Sequence, residues 1–217
     1  MLSEQLKQIY DLLIERFGPQ DWWPGDTPFE VIVGAILTQN TNWTNVEKAI
    51  ANLKKAKVLS PDKLHRLDIK KLAELIRPAG YFNIKAARLK NFINWFFENY
   101  SGKLKNLEGI PTADLRQQLL SIKGVGPETA DSILLYALNR LVFVVDAYTA
   151  RIASRHHLIE KDADYHQIQE VFESNLPNDV ELFNEYHALL VRLGKDFCRP
   201  APRCEICPLN QLPHSIH

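Results

Sequence analysis

The 217-residue chain reads as an all-α protein. Three observations point that way. Apolar residues recur at three- and four-residue spacing nearly everywhere. The only strand-like run, Leu141-Val142-Phe143-Val144-Val145, is solitary and too short to build a sheet. The periodic stretches are separated by short breaks bordered by capping residues. About ten helices are expected.

In chain order, Leu2, Leu6, Ile9, Tyr10, Leu13 and Phe17 mark one face of an opening helix, which Gly18 ends. A loop carrying Trp22, Trp23 and Pro24 follows, then helices over roughly 28–38 and 42–56. Ser60-Pro61 supplies a cap and a first-turn proline for a short helix. Asp68 caps the next, which stops before Pro78. Residues 83–100 form one long helix with basic and aromatic faces. Thr112 opens a helix to about Leu120, SIKGVGP interrupts the pattern, and Pro127 restarts it. Asp146 opens another helix, and 164–175 and 179–193 supply two more. There is no internal repeat and no low-complexity segment.

The composition is that of an ordinary globular protein: 46% hydrophobic and 24% charged residues. The 26 basic and 26 acidic side chains cancel, which by itself argues against a polyanionic partner. The distribution argues otherwise. Residues 54–105 carry 13 basic and 4 acidic side chains, and residues 158–187 carry 1 basic and 8 acidic. A neutral chain with such blocks is polarised, and binding through its basic block weakens steeply with salt. The N-terminal stretch is amphipathic and charged throughout, so no signal peptide is read. No 18-residue apolar run exists, and a cytoplasmic location is expected. Cys198, Cys204 and Cys207 fall within ten residues of one another. Clusters this tight bind metal more often than they form a disulfide framework.

The segment Leu119-Leu120-Ser121-Ile122-Lys123-Gly124-Val125-Gly126-Pro127-Glu128-Thr129-Ala130-Asp131 is helix, tight turn, helix. Glycines two apart let the backbone approach a bulky anion, and the following helix start presents amides suited to phosphate. Lys123 adds a charge beside it. An ordinary glycine-rich helix–helix turn explains the same spacing equally well.

LLSIKGVGPETADSIL resembles the helix–hairpin–helix of the endonuclease III superfamily of DNA glycosylases. Three further motifs match that family in order. LTQNTNWTNVEKAI resembles its early glutamine-bearing helix, which places Gln39 at the helix-filling glutamine. GYFNIKA resembles the loop that wedges the duplex, which places Tyr81 at the wedge. The C-terminal cysteines resemble the iron–sulfur loop. The resemblance covers roughly residues 20–210.

The family implies a two-lobed fold: a six-helix lobe over 21–138 ending in the hairpin, and a second lobe from 1–20 plus 139–217 holding the cysteines. Double-stranded DNA containing a damaged base would bind a monomer across the cleft, with Asp146 at its floor. Lys123, Gly124, Val125, Gly126 and Thr129 would meet the backbone phosphates, and Tyr81 would wedge the duplex. Asp146 matches the essential aspartate of the family; its position also fits a helix N-cap, and both roles are compatible. Bifunctional members carry a lysine in the second hairpin helix. Here Pro127-Glu128 stands there, and a glutamate cannot form a Schiff base with the sugar. Glu128 is either a second pocket carboxylate or a first-turn glutamate favoured by the helix dipole.

Trp22, Trp23 and Trp43 join Gln39 as candidates for the pocket around an extruded base, although Trp43 within a helix equally suits core packing. Aromatic faces attract flat cationic groups. WWP, QNTNW and KGVGPETAD also look like the 3-methyladenine glycosylase branch, which implies a monofunctional alkyl-purine glycosylase. Mismatched thymine, uracil or adenine, an oxidised base, or a non-catalytic damage-binding role are the alternatives. Cys198-x5-Cys204-x2-Cys207 departs from the family's Cys-x6-Cys-x2-Cys-x5-Cys pattern: the first gap is one residue shorter, and Pro213 stands at the fourth position. His214 or His217 could supply a nitrogen. A [4Fe–4S] cluster is expected from the family context, with structural zinc or free thiols as alternatives.

Overall fold

The structure, a computed structural model, describes residues 1–216; His217 lies outside the described residues. Eleven α-helices and several shorter turns make up the secondary structure, with no β-strand among the described residues. No helix among them is long and apolar enough to cross a membrane. The chain divides into two compact units: Pro24–Asn139, and Met1–Trp23 with Arg140–His217.

The continuous unit is built round α2 (Pro28–Leu37). Thr27 caps it, its hydroxyl accepting from the Glu30 amide at 3.2 Å, and Pro28 occupies the first turn. Every residue from Phe29 to Leu37 is buried, so this helix is enclosed on all sides rather than amphipathic. Around it pack α3 (Trp43–Lys55), α6 (Phe82–Tyr100) and α8 (Pro127–Ser132) with the π-helical turn Ile133–Ala137 that continues it. The small helices α4 (Pro61–Arg66) and α5 (Ile69–Leu75) pack against α6, and α7 (Thr112–Ser121) pairs with α8. Asp68 caps α5 as its sequence position predicts, accepting from the Lys70 and Lys71 amides at 2.9 and 3.2 Å. Ser60 precedes α4 without a side-chain cap bond, so Pro61 alone marks that start.

Lys85 is 1% exposed, on the inner face of α6. Its ammonium donates to the Leu37 carbonyl at 2.8 Å and the Ala79 carbonyl at 2.7 Å, tying the end of α2 to the turn before α6. Burial, with the nearby Arg88 charge adding to it, brings its pKa down to about 8.

The discontinuous unit joins α1 (Leu2–Phe17) to α9 (Ala147–Arg155), α10 (Tyr165–Asn175) and α11 (Val180–Asp196). Leu6, Ile9 and Leu13 are its buried stripe on α1, and the Tyr186 hydroxyl donates to the Leu6 carbonyl at 2.8 Å. Phe143 stacks on Phe172 at 4.3 Å between ring centres, with Phe183 and Tyr186 edge-on. The strand-like run at 141–145 joins no sheet; Leu141 is exposed and residues 142–145 are buried. Side chains of α10 take the place of a partner strand. The Phe143 amide donates to Glu173 at 2.7 Å, and the Phe143 carbonyl accepts from Gln169 at 2.6 Å. Gly194 lets α9 and α11 approach closely, since a Cβ there would collide with the Tyr148 ring.

Candidate active site

The hairpin is held from α2 and α6. Gln39, just beyond α2, donates through Nε2 to the Gly124 carbonyl at 3.0 Å and to the Thr129 hydroxyl at 2.9 Å. Its Oε1 accepts from Arg88. Asn91 donates to the Lys123 carbonyl at 2.9 Å. Gly124 has φ +99°, and a Cβ there would strike the aliphatic stem of Arg88. The turn therefore requires glycine for both conformation and space. Gly124→Ala is expected to destabilise the protein by about 1–3 kcal/mol and weaken DNA binding, measured by thermal melting and fluorescence anisotropy.

These bonds define what each hairpin candidate offers. Lys123, Gly126 and Glu128 are exposed. Val125 is 6% and Thr129 5% exposed, so their side chains face inward, and the Thr129 hydroxyl is engaged with Gln39. Tyr81 is 69% exposed, in a left-handed conformation (φ 44°) that turns the chain into α6. The basic residues after it are a correction to a simple charge count. Lys85 is buried, Arg88 bonds Gln39, and Lys90 donates to the Leu64 and His65 carbonyls at 2.7 and 2.9 Å. These three are spent internally, whereas the other ten basic side chains of residues 54–105 are exposed.

Trp43 opens α3 and lines a pocket of about 330 Å³ with Pro24, Asp26, Glu30, Glu47 and Lys54. Glu30 is buried and paired with Lys54 at 2.7 Å. Trp22 and Trp23 lie in the other unit, edge-to-face at 5.3 Å, with the Lys195 ammonium 5.8 Å from the Trp22 ring centre.

Asp146 stands at the N-cap of α9. Its Oδ1 accepts from the Thr149 amide at 2.7 Å, and Oδ2 lies 3.7 Å from His187 Nε2. The carboxylate is 14% exposed and the imidazole 5%. Asp146 thus serves as the helix N-cap through one oxygen, and the other lies outside that bond.

Residues 33–178 match the HhH-GPD superfamily base excision DNA repair protein family. A Methanocaldococcus jannaschii protein named "Putative DNA repair glycosylase MJ1434" is 52% identical over 213 residues, spanning 96% of this chain and 95% of the relative. The chain belongs to the HhH-GPD superfamily. Among solved structures, the Helicobacter pylori 3-methyladenine DNA glycosylase MagIII, bound to 1,N6-ethenoadenine, is 31% identical with a TM-score of 0.77. It covers 89% of this chain and 97% of its own. A non-covalent endonuclease III–DNA complex aligns with a TM-score of 0.83 at 21% identity, over 97% of this chain and 94% of that one, a likeness of fold.

The cysteine loop lies beyond the matched HhH-GPD region. Cys198, Cys204, Cys207 and His214 line one pocket together with Arg155 and His156. Arg155 Nη1 donates to Cys198 Sγ at 3.3 Å and to the Arg199 carbonyl at 2.7 Å. Burial raises the Cys207 thiol, and the fields of Cys198 and Cys204 add to that, so the three sulfurs share one electrostatic neighbourhood. His214 Nδ1 sits 2.8 Å from the Leu212 carbonyl, so Nε2 is the ring nitrogen outside that contact. Among the described residues no three His, Cys, Asp or Glu side chains converge as a metal-ion site. Three thiols and an imidazole lining one pocket are donor types that an iron–sulfur cluster or a metal ion accepts.

Sequence reading of this HhH-GPD chain does not single out His187. The available signal is modest: the buried stripe Phe183, His187, Leu190, Gly194 on α11 contains one titratable side chain among apolar and small ones.

Proposed function

We propose that this protein is a monofunctional DNA glycosylase that hydrolyses the N-glycosidic bond of alkylated purines of the 3-methyladenine type in duplex DNA. The observation that carries the reading is Asp146. It is a largely buried carboxylate on a rigid helix start, with one oxygen fixed by the Thr149 amide. Breaking the bond between C1′ and the base leaves positive charge on the sugar. A carboxylate there stabilises that charge and orients the attacking water, whose proton it can accept. Glu128 stands where bifunctional relatives place a lysine. A glutamate offers no amine for a covalent sugar adduct, which supports hydrolysis alone.

The substrate class rests on chemistry and kinship. A 3-methylated adenine is cationic, leaves readily, and suits aromatic faces such as Trp22 and Trp23. The 31%-identical MagIII is by name a 3-methyladenine glycosylase. DNA is the partner that the helix–hairpin–helix architecture supports. Lys123 and the hairpin backbone would meet phosphate and Tyr81 would enter the stack. Cys198, Cys204, Cys207 and His214 would hold a [4Fe–4S] cluster, which when bound would brace the C-terminal loop.

Purified protein is expected to release 3-methyladenine from methylated duplex DNA, and borohydride should trap no covalent protein–DNA adduct. A defined-lesion panel that yields uracil, mismatched thymine or an oxidised base and no alkyl-purine overturns the substrate class. A trapped adduct overturns the monofunctional assignment. The protein should purify brown, with iron and sulfide; colourless protein with stoichiometric zinc overturns the cluster.

A further inference from the structure

Asp146 and His187 meet where α9 and α11 press together over Gly194. With Oδ1 anchored to the Thr149 amide, the carboxylate retains one degree of freedom, rotation that carries Oδ2. His187 Nε2 stands 3.7 Å from that oxygen, on a side chain 5% exposed and rigidly set in mid-helix beside the Phe143 ring. We propose that His187 is a positioning residue: its imidazole edge limits the swing of the Asp146 carboxylate and holds Oδ2 in its working orientation. The proposal rests on Asp146 being the reactive carboxylate.

The charge state of the imidazole matters. Burial lowers the His187 pKa, Asp146 from the start of α9 opposes that, and Lys195 on α11 reinforces it. At neutral pH the ring is therefore uncharged. It offers Oδ2 a dipole without cancelling the negative charge that must face a cationic sugar. Protonation at lower pH would convert the pair into an ion pair and withdraw that charge.

The test uses the full-length protein, single-turnover base release from methylated duplex DNA, and binding to a duplex containing a tetrahydrofuran abasic analogue. His187→Phe is expected to slow release at least about tenfold while analogue binding stays within about twofold. His187→Gln, which keeps an N–H at similar reach, should recover most of the rate. It should also lose the acid-side fall in rate that belongs to the imidazole. Imidazole titration by NMR gives a readout independent of turnover: Asp146→Asn should lower the His187 pKa further. Equal losses in the Phe and Gln variants, parallel losses of binding, unchanged rates, or an unmoved His187 pKa each overturn the proposal. If Asp146→Asn stays fully active, the reading of Asp146 itself fails. If it is inactive while the His187 variants are normal, only the positioning role falls.

Discussion

Asp146→Asn should lower base release by about a hundred- to ten-thousand-fold, the usual range for loss of a positioned acid–base group. The fold should survive it. Asparagine is as good an N-cap as aspartate, so the bond to the Thr149 amide can persist in the variant. Asp146→Ala removes the cap as well and should cost about 1 kcal/mol of stability in addition. The pair of variants thus separates helix capping from chemistry. Thermal melting should distinguish Ala from Asn, while release kinetics should be equally poor for both. An Asn variant that is normally active would reduce Asp146 to a cap.

The largest stability loss should come from Arg116→Met. Asp131, on α8 immediately after the hairpin, is fully buried, and Arg116 on α7 grips both its oxygens at 2.7 and 2.9 Å. Arg116 is itself only 15% exposed. Removing the guanidinium leaves the carboxylate buried without its bidentate partner, which costs about 3–5 kcal/mol. For a protein of this size that corresponds to a melting temperature lower by about 6–20 °C. Asp131→Asn in the same chain should restore part of the loss, because a neutral amide is cheaper to leave in the dark than a carboxylate. An Arg116→Met variant that melts with the unsubstituted protein would show that this pair contributes little to the hairpin.

The helices were legible because their borders carry local chemistry. Asp68 and Asp146 each announce a helix start through bonds that depend only on neighbouring residues. The hairpin and Asp146 were legible as a spaced motif. What the sequence concealed depends on long-range packing. Lys85, Arg88 and Lys90 count as three exposed charges in a linear tally, yet each is held by a partner brought in from another element. The Arg116–Asp131 clamp joins residues fifteen apart across a reversal. His187 lies 41 positions from Asp146 and looks, in sequence, like one more polar residue on a helix. The run at 141–145 has strand composition, yet the backbone of Phe143 finds its partners in side chains of α10 rather than in a strand.

The discontinuous unit has a consequence for biosynthesis. The first helix leaves the ribosome with the stripe Leu6, Ile9, Leu13 uncovered, and its partner Tyr186 lies 180 residues later. At roughly 5–20 residues per second, α1 waits about 10–35 s for that partner. In the interval the continuous unit, residues 24–139, emerges whole and can bury its own core round α2. The nascent chain is then a folded domain trailing a sticky amphipathic helix, the species a chaperone would be expected to shield until α10 and α11 arrive to cover it.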